Sequence, residues 1–435
     1  MLIEIWKLEK LLLNHKKWLK SKGGRQAVFT RVSIKYEIFR NALLKKAVFT
    51  KANLQWCTFK NCDIRNADLI GRKRHRFPNL VCMKLSAYFK KQGDEVSLLT
   101  SYDNIDDYDK VFIAKVFTDT PIPKITLIKK NVTCNGTGFF FDKAIPLAPE
   151  VEQIMPDYHL YDSWVNQQLE NGVSRNSLKY YLDYSIGYAT RGCFRKCPFC
   201  VNRNSEYVTL HSNIVDWVDE DRKKICLLDD NVLGAKQWQW VLEKLIQIGK
   251  PFQFKQGLDE RLLTHEKLEC LRNCKLDGDL IFAFDNLADK NIITSKLELL
   301  RIFFPTKKNI KFYVLCGFDR NGKYDKEFWI NDIHSVFERI KILANYGCKP
   351  YIMRFAKYKE SPFKGTYINL ASWCNQPSIY AHYSYQDYCL EKDRQLHDDK
   401  KSSTYRYYEE FLPYMTEDEK TFQFKGRYNY ASNEY

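Results

Sequence analysis

The chain has 435 residues, 45% hydrophobic and 15% aromatic, with a formal net charge of +16. That length holds two to three folded domains, and the composition excludes a disordered or low-complexity chain. No apolar run reaches bilayer-spanning length, and an N-terminus with Glu4 in its apolar stretch lacks a cleavable leader, so a cytoplasmic protein is expected, its 14 cysteines serving as thiols or cluster ligands rather than disulfides.

The positive charge is concentrated at one end. Residues 1–80 hold 19 Lys+Arg against 5 Asp+Glu, a net +14, which leaves +2 for the remainder. A localised field of this sign suits a polyanion such as nucleic acid, or a protein partner; a solvated, highly charged surface is the alternative.

Residues 2–20 space Leu2, Ile5, Trp6, Leu12, Leu13 and Leu19 as an amphipathic helix, which Gly23-Gly24 is expected to end. Over residues 25–71, Phe29, Ile34, Phe39, Leu44, Phe49, Leu54, Phe59, Ile64 and Leu69 recur every five residues. Two positions before each stands a mostly small residue, including Ala27, Ala42, Ala47, Ala52, Cys57, Cys62 and Ala67; Glu37 departs from the rule. Neither helix nor strand yields a strict period of five. The segment resembles the pentapeptide repeats. That resemblance implies a short square right-handed β-solenoid, capped by helix 1–24 and used for docking or targeting, since a basic surface argues against mimicry of DNA.

The run Arg72-Lys73-Arg74-His75-Arg76-Phe77-Pro78 reads as a basic linker over 72–78. Beyond it a strand is expected at Asn79–Cys82, a helix at Lys84–Gln92 closed by Gly93, and strands at Glu95–Leu99 and Asp109–Lys115, an α/β pattern. With Asn135-Gly136-Thr137-Gly138 as its closing turn, segment 79–150 resembles a truncated, flavodoxin-like cobalamin-binding domain. No D-x-H-x-x-G sequence occurs, so the segment is assigned a structural part and cobalamin is not expected. Residues 151–180, which follow Pro146 and Pro149 and include Pro156, read as an extended connector.

Strand-like runs then alternate with helix-length sequence at Tyr184–Ala189, Lys224–Leu228, Phe252–Gln256, Asp279–Phe284, Lys311–Cys316 and Pro350–Phe355. Six such units over 181–360 suit a parallel α/β barrel, whose chemistry gathers at the C-terminal strand ends. The first run leads into Cys193-Phe194-Arg195-Lys196-Cys197-Pro198-Phe199-Cys200, three cysteines spaced C-x3-C-x2-C. Three thiolates on one loop can hold a [4Fe–4S] cluster and leave one iron open. A structural zinc loop or three unrelated thiols are the alternatives; for zinc, no fourth Cys or His stands at ligand spacing, His211 being the nearest histidine.

The cysteine spacing, with an aromatic residue before the last cysteine, resembles the signature of the radical S-adenosylmethionine (SAM) superfamily. The resemblance implies a partial (β/α)6 barrel, a cluster on Cys193, Cys197 and Cys200, and SAM as cosubstrate, cleaved to a 5′-deoxyadenosyl radical that takes hydrogen from a substrate. It implies Phe199 near the adenine and, at the second strand end, Asp230 and Asn231 as acceptors for the SAM ammonium, helix capping being the other role open to them. At the later strand ends Gln256, Asp259 and Arg261 are assigned to the ribose or the methionine carboxylate, Asp285 to the pocket and Gly317 to an adenine turn. The electron is expected from an external flavodoxin or ferredoxin, because no flavin or second-cluster motif is visible.

Cys270 and Cys274 are expected to pack in the core at helical spacing, and Cys374 and Cys389 are too few for an auxiliary cluster. The Tyr- and Lys-rich tail, 361–435, is expected to cover the open side of the barrel, with a disordered end after Lys420 as the alternative. Two rival functions remain at this stage: an RNA- or DNA-modifying radical enzyme recruited by the basic module, and a non-catalytic binding protein with a degenerate barrel.

Overall fold

A computed structural model describes residues 5–20, 25–27, 38–40, 58–60, 77–118, 120–305, 309–394 and 402–424. The chain divides into two units, one of Met1–Asn79 with Tyr158–Leu182, the other of Leu80–Asp157 with Asp183–Tyr435. Among the described residues no helix is long and apolar enough to cross a membrane.

In the first unit, helix α1 (Ile5–Leu19) occupies the expected amphipathic stretch. His15 is buried on it, accepting at Nδ1 from the Ala27 N–H at 3.0 Å and stacking on Trp18. Strands β1 (Ile38–Arg40) and β2 (Thr58–Lys60) pair in parallel, Phe39 opposite Phe59. Partners twenty residues apart are what four five-residue sides per coil require. Gly23-Gly24, Cys57, Cys62, residues 72–76 of the basic linker and the end of the tail after Phe424 lie outside the described residues. The expected extended connector is instead largely helical, with helices at Pro149–Glu152, Asp162–Glu170 and Arg175–Leu178. Pro149 starts the first of these, where a missing N–H costs nothing.

The second unit opens with α2 (Leu80–Gln92), so the strand expected at Asn79–Cys82 is not formed. Its buried residues Leu80, Met83 and Lys84 follow i, i+3, i+4 spacing, and a short apolar run read alone cannot be told from a strand. Residues 95–99 form no strand either. The partner of β3 (Val111–Ala114) is β4 (Val132–Asn135), parallel to it and ending in the Asn135–Gly138 turn.

The six expected barrel runs all carry strands. β5 (Tyr184–Gly187) leads through a hairpin of β6 (Thr190–Arg191) and β7 (Thr209–Leu210) to β8 (Lys224–Leu227) and β9 (Phe252–Phe254); β5, β8 and β9 pair in parallel. β10 (Leu280–Ala283), β11 (Ile310–Cys316) and β12 (Lys349–Arg354) form a second parallel trio. The Leu258 N–H donates to the Ile281 carbonyl at 2.8 Å, and Phe252 bridges Leu276, so the six strands follow one another in chain order.

Helices α3 (Trp238–Ile248), α4 (His265–Arg272), α5 (Lys290–Phe303) and α6 (Lys326–Asn345) connect them. Each buries one stripe, such as Val241, Leu242 and Leu245 or Ile293, Leu297 and Leu300, at helical spacing against the sheet. Burial of each such side chain contributes roughly 1.5–3 kcal/mol. Helices α7 (Lys364–Cys374), α8 (Tyr385–Arg394) and α9 (Ser403–Phe411) make the tail a folded layer. Asn375, just past α7, accepts from the Ile352 N–H at 2.6 Å and donates to the Ile352 carbonyl at 3.1 Å. A side-chain amide thus closes the outer edge of β12, which would otherwise invite pairing with another chain. Cys374 and Cys389 are buried in this layer, and Cys270 and Cys274 pack against the core, as expected.

Candidate active site

The cysteine loop leaves β6 at Gly192 and returns to β7. Gly192 has φ +96, and a Cβ there would lie 2.4 Å from the Tyr207 carbonyl oxygen across the loop, so only glycine fits the base of the hairpin. Lys196, between the first two cysteines, also takes a left-handed conformation (φ 49), a strain of about 1 kcal/mol that the loop's anchors must hold.

Those anchors are acids at the C-terminal ends of β8 and β9. Asp229 is buried and accepts from the N–H of Ala189 at 3.1 Å and from the N–H and hydroxyl of Thr190, each at 2.6 Å. Asp230 accepts from the Gly192 N–H at 3.0 Å and from Asn202 Nδ2 at 2.5 Å. Asp259 accepts from Arg195 Nε at 2.5 Å and Arg261 Nε at 2.8 Å. Burial pushes the Asp229 carboxyl up to about 6 against the pull of its Thr190 and Ala189 donors. Burial also acts to raise Asp259, but its two arginines outweigh that and hold it below the ordinary range.

Asp230 and Asp259 are therefore both engaged with the protein's own loop. Asn231, buried at 2% exposure, precedes a short 3-10 turn but makes no side-chain cap bond there. Its Nδ2 faces Cys193 Sγ at 3.5 Å and Asp259 Oδ2 at 3.4 Å, while its Oδ1 is buried with no hydrogen-bond partner. An orphaned buried acceptor costs roughly 1–3 kcal/mol. It marks the place where a donor from a ligand would be satisfied.

Phe199 stands edge-on to Phe318 with centroids 5.3 Å apart, and Phe318 edge-on to Phe355 at 4.9 Å. The loop after the first strand of the six thus touches the turns after the fifth and sixth. Gly317 in that turn has φ +74, a Cβ on it would press within 3.0 Å of Tyr358, and its N–H donates to Asp332 at 2.7 Å. Asp285 is half-buried, accepts from the Leu315 N–H at 3.3 Å, and is raised by burial. Gln256 is exposed, so the assignment to ribose or carboxylate finds no enclosed position for it.

Burial raises the Cys197 and Cys200 thiols; Cys197 is raised further by Cys200 and Cys193, and Cys200 by Cys193. Among the described residues no three His, Cys, Asp or Glu side chains form a group that could hold a metal ion. His211 is likewise engaged elsewhere: with Lys84 it grips Glu152 at 2.9 and 2.6 Å, and these bonds outweigh burial to hold Glu152 down at about 2. A cavity lined by Lys311, Cys348, Lys349, Tyr351 and Tyr380 opens by the start of β12, remote in the strands from these ends.

Sequence reasoning assigned the strand ends but missed which acid faces inward. Asp229 sits beside two residues it did single out; the signal available was a carboxylate directly after an apolar strand, a position that burial makes costly unless donors meet it. Asp229→Ala is expected to leave the Ala189 and Thr190 N–H groups without an acceptor and to cost about 2–3 kcal/mol in urea unfolding. Asp229→Asn, which keeps one acceptor oxygen, should lose less.

The five-residue period and its twenty-residue strand register carry over to the comparison with known families, which matches pentapeptide repeats, eight copies, over residues 38–71. These residues are pentapeptide repeats. The pentapeptide-repeat segment accounts for a small part of the chain and leaves residues 1–37 and 72–435 unassigned. A comparison with curated proteins found no match.

Proposed function

We propose that this chain is a radical SAM enzyme: a partial (β/α)6 barrel preceded by a small flavodoxin-like α/β segment, with a β-solenoid of pentapeptide repeats at the N-terminus. The observation that carries the reading is three thiols on the loop after the first of six chain-ordered parallel strands, with the amide nitrogen of Asn231 against Cys193 and its buried Oδ1 without a hydrogen-bond partner. Cys193, Cys197 and Cys200 would hold one [4Fe–4S] cluster. What supports the assignment is the chemistry of the donors, three free thiols on one loop, the ligand type such a cluster takes. A cluster held there supplies the electron that cleaves SAM to methionine and a 5′-deoxyadenosyl radical, which abstracts hydrogen from the substrate.

The protein's own residues bind and exclude. Asn231 Oδ1 accepts an N–H from the SAM ammonium. Phe199, Phe318 and Phe355 wall the side where the adenine lies and keep water from it. Asp229, Asp230 and Asp259 act one step removed, fixing the loop on which the thiols stand. An external flavodoxin or ferredoxin provides the electron, and the basic N-terminal segment recruits a partner. Cobalamin has no part in the reading.

The test is anaerobic reconstitution with iron and sulfide, reduction with dithionite, and chromatography for 5′-deoxyadenosine, with Cys197→Ala as control. Product from the wild type alone is the expected result. A fully loaded protein that neither binds nor cleaves SAM overturns the reading and favours a binding scaffold. The charge of residues 1–80 favours nucleic acid as the substrate class within the same chemistry. Retention on RNA that falls steeply with salt and disappears on deletion of 1–76 is the expected outcome for that version.

A further inference from the structure

Asn231 is placed by more than its own packing. Its amide group is turned so that Nδ2 lies between the Cys193 sulfur and an Asp259 oxygen, and its Oδ1 points where no protein donor reaches. Amide oxygen and nitrogen can be exchanged by a flip, and the Asp259 carboxylate decides the matter, because a carboxylate accepts and cannot face the amide oxygen. Asp259 is in turn fixed from both sides, by Arg195 of the cysteine loop at 2.5 Å and by Arg261 at 2.8 Å. Arg261 also reaches Asp289 at 3.6 Å. The result is a relay, arginine to carboxylate to amide to sulfur, in which every member but the last is held by a charged partner.

We infer that Asn231 is a positioning residue that donates an N–H···S bond to Cys193 and sets the reduction potential of the group the thiols hold, with Asp259 as the latch that keeps the amide in that orientation. This rests on the iron–sulfur reading above and adds to it a tuning role for the N–H face of the amide, separate from the acceptor face assigned to the cosubstrate. A hydrogen bond to a cluster sulfur stabilises the electron-rich, reduced state and so raises the potential. Partners of this kind, one shell behind the ligands, tune a metal group as well as orient its ligands. The same bond fixes the Cys193 side chain before any iron arrives.

The experiment is an EPR-monitored redox titration of the reconstituted full chain, run on wild type, Asn231→Ala and Asn231→Leu, with iron and sulfide content measured for each. Asn231→Leu keeps the volume and removes the N–H without adding charge, so it guards against a collapse specific to alanine. Both variants are expected to keep their iron and to hold the electron about tenfold less tightly, a downward shift of about 59 mV for a one-electron couple. Unchanged potentials at full iron content overturn the inference and leave the iron–sulfur reading standing. Loss of iron from both variants also overturns it, since the residue would then be needed to build the loop rather than to tune it. Wild-type protein that takes up no iron overturns the underlying reading and this inference together.

Discussion

Replacing Arg339 with methionine is expected to lower the unfolding free energy by about 3–5 kcal/mol, the range found when one partner of a buried charge network is removed. Arg339 projects from α6 at 1% exposure, and its Nη1 donates to the carbonyls of Phe284, Asp285 and Leu315 at 2.9, 3.0 and 2.8 Å. These carbonyls lie at the C-terminal ends of β10 and β11. Its charge also offsets Asp332 and Asp285, both raised by burial. Asp332 in turn accepts from the Gly317 N–H and the Tyr367 hydroxyl, each at 2.7 Å, so the network reaches the turn that faces Phe199. Methionine fills most of the volume but leaves three carbonyls without their donor and two buried acids without their countercharge. Arg339→Lys keeps the charge without the planar fork and should fall between wild type and methionine in urea midpoint. A loss under about 1 kcal/mol for methionine would mean that water reaches the strand ends and the arginine does not hold them.

Nothing in the sequence around Arg339 announces this role. It lies in a long amphipathic helix among Glu338, Lys341 and other charged residues, where an arginine reads as part of the solvated face. What was legible was local. The five-residue period, the cysteine spacing and the six apolar runs are each written within a short window, and strands occupy all six runs to within a residue or two at most ends. The failures come where the deciding partner is far away in the chain. β4 has an ordinary composition and becomes a strand by pairing with β3, and Leu80–Cys82 becomes helix because residues 83–86 continue its stripe. The loop-anchoring bonds of Asp230 and Asp259 were out of reach in the same way, because their partners, Gly192, Asn202 and Arg195, stand 28 to 64 residues away.

Glu260 gives the second large effect, as a dependence on pH. It is buried at 2% exposure at the end of β9, with the Ala283 N–H donating to it at 3.2 Å and Arg261 no nearer than 3.6 Å. Burial, with a smaller contribution from Asp259, pushes its carboxyl up to about 8 from an ordinary value near 4.5. A group whose folded pKa is raised binds its proton more tightly in the native state, so stability falls as pH rises between the two values and levels off above the higher one. At about 1.4 kcal/mol per unit of displacement, the loss between pH 4.5 and pH 8 is on the order of 4 kcal/mol. Asp259 has the opposite sign: its pKa is lowered, so its contribution is present above the ordinary carboxylate range and fades as pH falls through the folded value. The neighbouring acids thus slope in opposite directions in different windows. The arrangement has a consequence for the loop, because a neutral Glu260 leaves the Arg261 guanidinium to Asp259, and an ionised one competes for it beside the latch that holds Arg195. Glu260→Gln, neutral at every pH, is expected to remove most of the decline in urea midpoint between about pH 6 and pH 9, leaving the smaller decline that the raised Asp229 contributes below about pH 6. A wild-type midpoint that is flat over that interval, or a glutamine variant that declines in parallel with it, would show that Glu260 is ionised in the folded protein and paired by Arg261 after all.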